Sequence, residues 1–281
     1  MSTQALRRTL SLRTSLICSL LLALACENAQ PDPATRAASP PPAPAAETEL
    51  TIFAAASLKA AFESLGAGFE ASHPGAEVQF NFAGTQEIRM QVEHGAPADV
   101  IAAADEKHMQ ALLERQLVLA PRVFAENEPV LAVYARAKHP VSDLAELPSA
   151  GRLVFGVPEV PIGRYTSEIL DRAEQKYGSG YRQQVEGRVV SRELNVRQVL
   201  AKVILGEADA AIVYRSDVTP PRPEIRVVDI PKELNVVARY PIAVVKSSQH
   251  AQLARAWLQL VRSAEGQAAL RKAGFRPLEG S

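Results

Sequence analysis

Glu49-Leu-Thr-Ile-Phe-Ala-Ala-Ala-Ser57-Leu-Lys-Ala-Ala-Phe62 reads as a strand that runs directly into a helix. Thr51 to Phe53 have the apolar, β-branched and aromatic character of a short buried strand. Ser57 stands at the N-cap position, and Leu58, Ala61, Phe62, Leu65 and Phe69 follow at helical spacing. A helix N-terminus leaves backbone N–H groups unpaired and carries a partial positive charge. A serine hydroxyl beside those donors completes a small anion-binding element. By itself such an element also serves simply to cap a helix.

Outward from this stretch the alternation continues. Val78 to Phe82, Ala98 to Ala102, Pro129 to Tyr134, Leu153 to Val157, Gly187 to Val190, Ala210 to Val213, Ile225 to Val228 and Tyr240 to Val245 read as strands. Helical periodicity appears at Ile88 and Val92, at Met109, Leu112 and Leu113, and at Tyr165, Ile169, Leu170 and Ala173. It appears again from Val196 to Ile204 and from Leu253 to Val261. Such alternation implies α/β architecture with parallel sheets covered on both faces. No repeat of fixed period is present, and Thr219-Pro-Pro-Arg-Pro223 is a loop. The body is long for one doubly wound sheet, so two lobes are expected.

Four strand-to-helix entrances stand out: Ser57, Gly84-Thr85, Val160-Pro-Ile162-Gly163 and Asn195-Val196-Arg197. Each alone is adequately explained by helix capping. Four together, at the carboxyl ends of strands, mark where open α/β sheets place ligands. Tyr214 closes the strand Ala210 to Val213, either as a half-buried aromatic or as a hydroxyl turned into the cleft.

The 31 basic and 31 acidic residues cancel in a chain of 281, which removes any global argument for nucleic acid as partner. The five histidines never fall at metal-ligand spacing, and no nucleophile elbow, dinucleotide fingerprint or phosphate-binding loop is present. The sequence therefore offers no catalytic set. A Ser57-dependent hydrolase would require a base that no motif supplies.

The N-terminus is a targeting segment: Arg7, Arg8 and Arg13 precede an apolar run from Leu16 to Ala25. Ala23-Leu-Ala25 fits a small-x-small cleavage site, and a small residue before Cys26 equally fits a lipidation site. Residues 26–48 are rich in Pro and Ala and read as an extended tether after a signal peptide over 1–25. Both cysteines, Cys18 and Cys26, belong to this region, so the body has no disulfide and no thiolate site. After the N-terminus no run approaches the roughly 18–20 apolar residues of a membrane span.

With these elements in place, the body from about Leu50 to Pro277 resembles the periplasmic molybdate-binding proteins of ABC importers. The resemblance is carried by Phe53-Ala-Ala-Ala-Ser57-Leu, Gly95-Ala-Pro-Ala-Asp-Val100 with Ala104-Asp105, and Gly156-Val-Pro-Glu-Val-Pro-Ile-Gly163 with Tyr165. Asn195-Val-Arg197, Ile212-Val-Tyr214 with Ser216-Asp217, and Tyr240-Pro-Ile-Ala-Val-Val245 complete it in order.

The resemblance implies a two-lobed type II periplasmic-binding-protein fold: mixed sheets flanked by helices, with a ligand cleft between the lobes. It places residues 49–128 and 240–281 in the first lobe and 129–239 in the second. It implies that a tetrahedral dianion is held by the hydroxyls of Ser57, Thr85 and Tyr214 and by backbone N–H groups of Ile162 and Val196. The metal of molybdate is then reached only through its oxygens, and no cofactor is expected. Thr85 adds a methyl, Ile162 is bulky, and Lys59 brings a cation to the first helical turn; these depart from the family pattern. The implied function is capture of molybdate, with tungstate comparable, for a membrane permease. It implies a monomer in the periplasm or cell envelope, membrane-tethered if Cys26 is lipidated, with no enzymatic activity. A sulfate-type receptor is the alternative, since sulfate has the same charge and shape, and a binding-protein-like sensor is a further one.

Overall fold

The computed structural model describes residues 48–276 and 278. The signal segment, the Pro/Ala-rich stretch up to residue 47 and Cys26 lie outside the described residues. β1 begins already at Thr48, the last residue assigned to the tether.

The first half of the chain forms β1 (Thr48–Ala55), a 3-10 turn (Ala56–Leu58), α1 (Lys59–Ser72), β2 (Ala76–Ala83), α2 (Thr85–Glu93), β3 (Val100–Ala102), α3 (Glu106–Glu114) and β4 (Val118–Asn127). Then come β5 (Pro129–Tyr134), a 3-10 segment (Leu144–Ser149), β6 (Leu153–Gly156), α4 (Pro161–Tyr177), α5 (Tyr181–Glu186), β7 (Val189–Glu193) and α6 (Val196–Ile204). The chain ends with β8 (Ala210–Tyr214), a 3-10 turn (Arg215–Val218), β9 (Ile225–Asp229), β10 (Ala238–Val245), α7 (Ala251–Arg262) and α8 (Ala264–Lys272).

Two five-stranded sheets result, in the orders β2-β1-β3-β10-β4 and β7-β6-β8-β5-β9. The expected all-parallel pairing holds for β1 with β2 and β3, and for β6 with β7 and β8. Elsewhere the sheets are mixed, as the resemblance implied: β10 is antiparallel to β3 and β4, and β5 is antiparallel to β8 and β9. The reversed strands are those the chain enters immediately after passing from one sheet to the other. It crosses once at Glu128 and again between Asp229 and Ala238. No helix precedes either entry, so nothing turns the chain back into a parallel course.

β4 is an element the sequence reading passed over. Its burial does not alternate, it contains Pro121 and Arg122, and its pairing with β10 is broken by two register shifts. Such irregularity belongs to edge strands, where proline and bulges are tolerated.

Strand β1 is covered on both faces. Ile52 and Ala54 join the larger core, while Phe53 joins a smaller one with Ile88, Ile101 and Leu112. The larger core includes Phe62 and Phe69 of α1, which meet Trp257 of α7 edge-on at centroid distances of 5.3 and 5.4 Å. Each such fully buried side chain contributes roughly 1.5–3 kcal/mol. This packing fixes α1, whose N-terminus faces the cleft. Among the described residues no helix is long and apolar enough to cross a membrane.

Candidate anion-binding site

One small cavity is lined from both sheets. Ala55, Ala56 and Ser57 follow β1; Ala83, Gly84 and Thr85 follow β2; Ala104 follows β3. Val160, Pro161 and Ile162 follow β6, Asn195 and Val196 follow β7, and Tyr214 ends β8. The lining thus comes from the carboxyl ends of three parallel strands in each sheet, and all five residues expected at the site are brought together. The cavity leaves about 10 Å³ for the centre of a water-sized sphere, the scale of one water molecule. A larger groove of about 730 Å³ bounded by His73, Gly75 and His250 lies at the other, amino-terminal end of β1 and β2, where Thr48 and Ala76 line it.

Ser57 is not a helix cap, as its position had suggested. It lies inside the 3-10 turn preceding α1, and its Oγ is 2.9 Å from the hydroxyl of Tyr240. Thr85 opens α2; its Oγ1 accepts the backbone N–H of Ala104 at 3.1 Å, which leaves the Thr85 proton free to donate. Gly84 precedes it with its N–H on Glu87 Oε2 at 2.9 Å. A Cβ at Gly84 would collide with the Leu194 carbonyl across the cleft, so the close approach of the two lobes needs glycine here.

Ile162 occupies the first turn of α4, after Val160 as N-cap and Pro161, which has no N–H to contribute. Gly163 allows that turn to lie against the end of β6, since a Cβ there would meet the carbonyls of Val157 and Gly156. Val196 is the first residue of α6. Its cap, Asn195, accepts the N–H of Gln198 at 3.0 Å and leaves the first-turn N–H of Val196 unused. Ile162 and Val196 are buried and have no polar atom in their side chains, so only the backbone N–H can donate at both positions.

Tyr214 is 1% exposed, which removes the half-buried reading, and its Oη has no hydrogen-bond partner. Burial pushes this phenol well above its ordinary range, so it remains a donor. A buried hydroxyl without a partner is costly unless a ligand completes it.

No lining residue carries a carboxylate, and Lys59 is absent from the lining. Lys59 pairs instead with Glu63 at 3.1 Å on the exposed face of α1 and sits 5.6 Å from the Phe82 ring centroid. Asp105, unassigned at sequence level, caps α3 and is fully buried. It accepts from Arg164 Nη2 across the cleft at 3.2 Å. His108 Nε2 donates to the Glu159 carbonyl at 3.0 Å, and Gln86 Nε2 to that of Leu194 at 2.8 Å. These bonds clasp the lobes around the cavity. Such long-range pairs have no local sequence signal. The hydrogen-bond partner of Ser57 Oγ is a phenol, with no imidazole or carboxylate as base. Among the described residues no group of His, Cys, Asp or Glu could hold a metal ion.

Comparison with known proteins bears on the family and the fold. The family described as bacterial extracellular solute-binding protein matches residues 50–276. The molybdate-binding protein ModA of Mycobacterium tuberculosis is 35% identical over 272 residues, covering 95% of this chain and 98% of that protein. The Escherichia coli protein of the same name is 29% identical, over 82% of this chain and 89% of its own. In fold, the chain is similar to the Azotobacter vinelandii periplasmic molybdate-binding protein, with TM-score 0.70 at 18% identity, covering 81% of this chain and 98% of that one. It is similar also to the Mycobacterium tuberculosis sulfate-binding protein SubI, with TM-score 0.73 at 19% identity, covering 83% and 88%. The two-lobed periplasmic-binding-protein fold is therefore the fold of this chain.

Proposed function

The chain belongs to the bacterial extracellular solute-binding proteins, and from that premise we propose that its cavity takes molybdate, with tungstate as a comparable guest, for delivery to an ABC importer. The observation that carries this reading is the buried, unpartnered Tyr214 hydroxyl in a cavity whose lining holds hydroxyls and helix N-termini and no carboxylate. Ser57, Thr85 and Tyr214 supply hydroxyl donors, and Ile162 and Val196 supply backbone N–H groups. The one lining amide oxygen, on Asn195, is already engaged by Gln198. Molybdate, tungstate and sulfate carry no proton at neutral pH and need donors alone. Hydrogen phosphate carries a proton and benefits from an acceptor.

The role is capture and release, not catalysis, because Ser57 has a phenol in place of a general base. Binding is coupled to closure: the lobes swing together and the Asp105–Arg164 pair forms across the cleft. The protein works outside the cytoplasm as a monomer. Cys26, when lipidated, tethers it to the membrane through the Pro/Ala-rich segment. Isothermal titration with molybdate, tungstate, sulfate and hydrogen phosphate tests the assignment. Tight molybdate binding with weak phosphate binding is expected, and heat from sulfate alone would replace molybdate as the guest. For the anchor, Cys26→Ser should move the protein from the membrane fraction to the soluble one, and a wild type already soluble would remove the tether.

A further inference from the structure

The carboxylate missing from the cavity wall stands one residue behind it. Ala104 lines the cavity, and Asp105, which follows it, is fully buried. Asp105 Oδ1 accepts the backbone N–H of His108 at 3.0 Å, within its own lobe. Its Oδ2 accepts from Arg164 Nη2 at 3.2 Å, across the cleft. Among the described residues Arg164 is the only cation paired with this carboxylate.

Arg164 is held differently. It lies near the start of α4, just after Ile162 and Gly163. Its Nη1 donates to Glu168 Oε1 at 2.6 Å, one helical turn on, and its guanidinium lies 4.3 Å from the Tyr165 ring centroid. Both contacts are inside the second lobe, so Arg164 keeps a carboxylate and an aromatic face whether or not the lobes meet. Tyr165 in turn reaches the Ala104 carbonyl with its Oη at 3.5 Å. The pair Arg164-Tyr165 thus grips the pair Ala104-Asp105, and the grip is unequal: Asp105 meets its countercharge only where the cleft is closed. A carboxylate buried without a partner is costly, and removing one member of a buried pair costs far more than replacing both. The guest is itself a dianion, so an uncompensated carboxylate behind the wall would oppose it as well.

We propose that Arg164 is a positioning residue that never touches the anion: by neutralising Asp105 across the cleft it keeps the lobes closed, and so sets how slowly the anion leaves. When the lobes part, Asp105 regains water and needs no cation. The penalty for losing Arg164 therefore falls on the closed state alone, and appears in the release rate and not in the capture rate. The proposal rests on the anion reading of the cavity.

A double-mutant cycle between Arg164→Met and Asp105→Asn tests it. Affinity is read by titration with molybdate, and release by chasing bound labelled molybdate with an excess of unlabelled anion. Arg164→Met keeps an apolar stem over Tyr165 and removes the charge. It is expected to speed release, and to weaken affinity, at least about tenfold, with little change in the association rate. Asp105→Asn removes the other charge and keeps the α3 cap, since Asn caps as well as Asp; it should cost several-fold less. In that background Arg164→Met should cost little more. Arg164→Lys, which keeps the charge and loses the planar fork, should fall between wild type and Arg164→Met. Equal losses from Arg164→Met in both backgrounds would mean that it acts through packing, and the latch fails. A slower association with unchanged release would make Arg164 a steering charge, which also overturns it. A wild type that binds neither molybdate nor sulfate would overturn the anion reading, and the latch with it. Melting curves without ligand should be close to wild type for Arg164→Met, because the open state bears no penalty; a marked drop would place the effect in folding and refute the proposal.

Discussion

The two sheets share one strand order, with the reversed strand in the same place, yet they meet the cavity with different chemistry. The first lobe offers side-chain hydroxyls, Ser57 and Thr85, each already oriented by a partner in its own lobe. The second offers the N-terminal turns of α4 and α6, where the donors belong to the backbone, together with the unpartnered hydroxyl of Tyr214. A hydroxyl must be aimed by its neighbours, whereas a helix N-terminus is aimed by the fold. One half of the site therefore depends on residue identity and the other on helix placement.

The largest effect should come from separating the halves altogether. Gly84→Val would drive a side chain into the Leu194 carbonyl and hold the lobes apart. We predict at least about a hundredfold loss of molybdate affinity, because the closed state becomes scarcely populated, with little change in melting temperature without ligand. Wild-type affinity in this variant would show that the lobes need not meet in this way.

Next comes the contrast within the site. Ser57→Ala and Thr85→Val should each lose about 1.5–3 kcal/mol of binding, as expected for a hydrogen bond to a charged group. Val196→Ala should change affinity less than about threefold, since its contribution comes from the backbone. Titration of the three variants decides this, and equal losses would erase the distinction between the lobes. Tyr214→Phe separates binding from stability. It should weaken the anion like Ser57→Ala while leaving the ligand-free protein as stable as wild type or slightly more so, because it removes a buried hydroxyl that has no partner. A marked drop in melting temperature would contradict that.

A change in stability, with no ligand involved, is expected from pH at a residue behind the second lobe's contribution. Burial pushes Asp217 up to about 7 from its ordinary 3.8, although its Oδ2 accepts the Tyr214 backbone N–H at 3.0 Å. A carboxyl raised in the folded state stabilises fully below its unfolded value, and that contribution is lost as pH rises through the folded value. Wild type should thus lose stability relative to Asp217→Asn between about pH 4 and pH 7, by up to a few kcal/mol. Parallel unfolding curves for the two proteins across that window would refute the assignment.

Much of this arrangement was legible in the sequence because it is written in local chemistry. Asn195 before an amphipathic run gave the α6 cap directly, and Pro129–Tyr134 was readable to its ends because it is apolar throughout. Ser57 shows where local reading stops. A serine between strand and helix looks like a cap, but its hydroxyl bonds a tyrosine 183 residues further on. Tyr240 and the Asp105–Arg164 pair were invisible for the same reason: their meaning lies in tertiary contacts between distant segments. β4 was hidden by its proline and its bulges, which erase the period that announces a strand.

The two crossings carry a consequence for engineering. Everything in the second sheet comes from one uninterrupted stretch, Pro129 to Asp229. Its two ends are stitched together, for Asn235 Nδ2, in the returning segment, donates to the Pro129 carbonyl at 2.9 Å. That stretch is a natural cassette. Exchanging it with the matching segment of a relative would pair one protein's aimed hydroxyls with another's helix termini, and would assign ligand preference to one half or the other in a single splice.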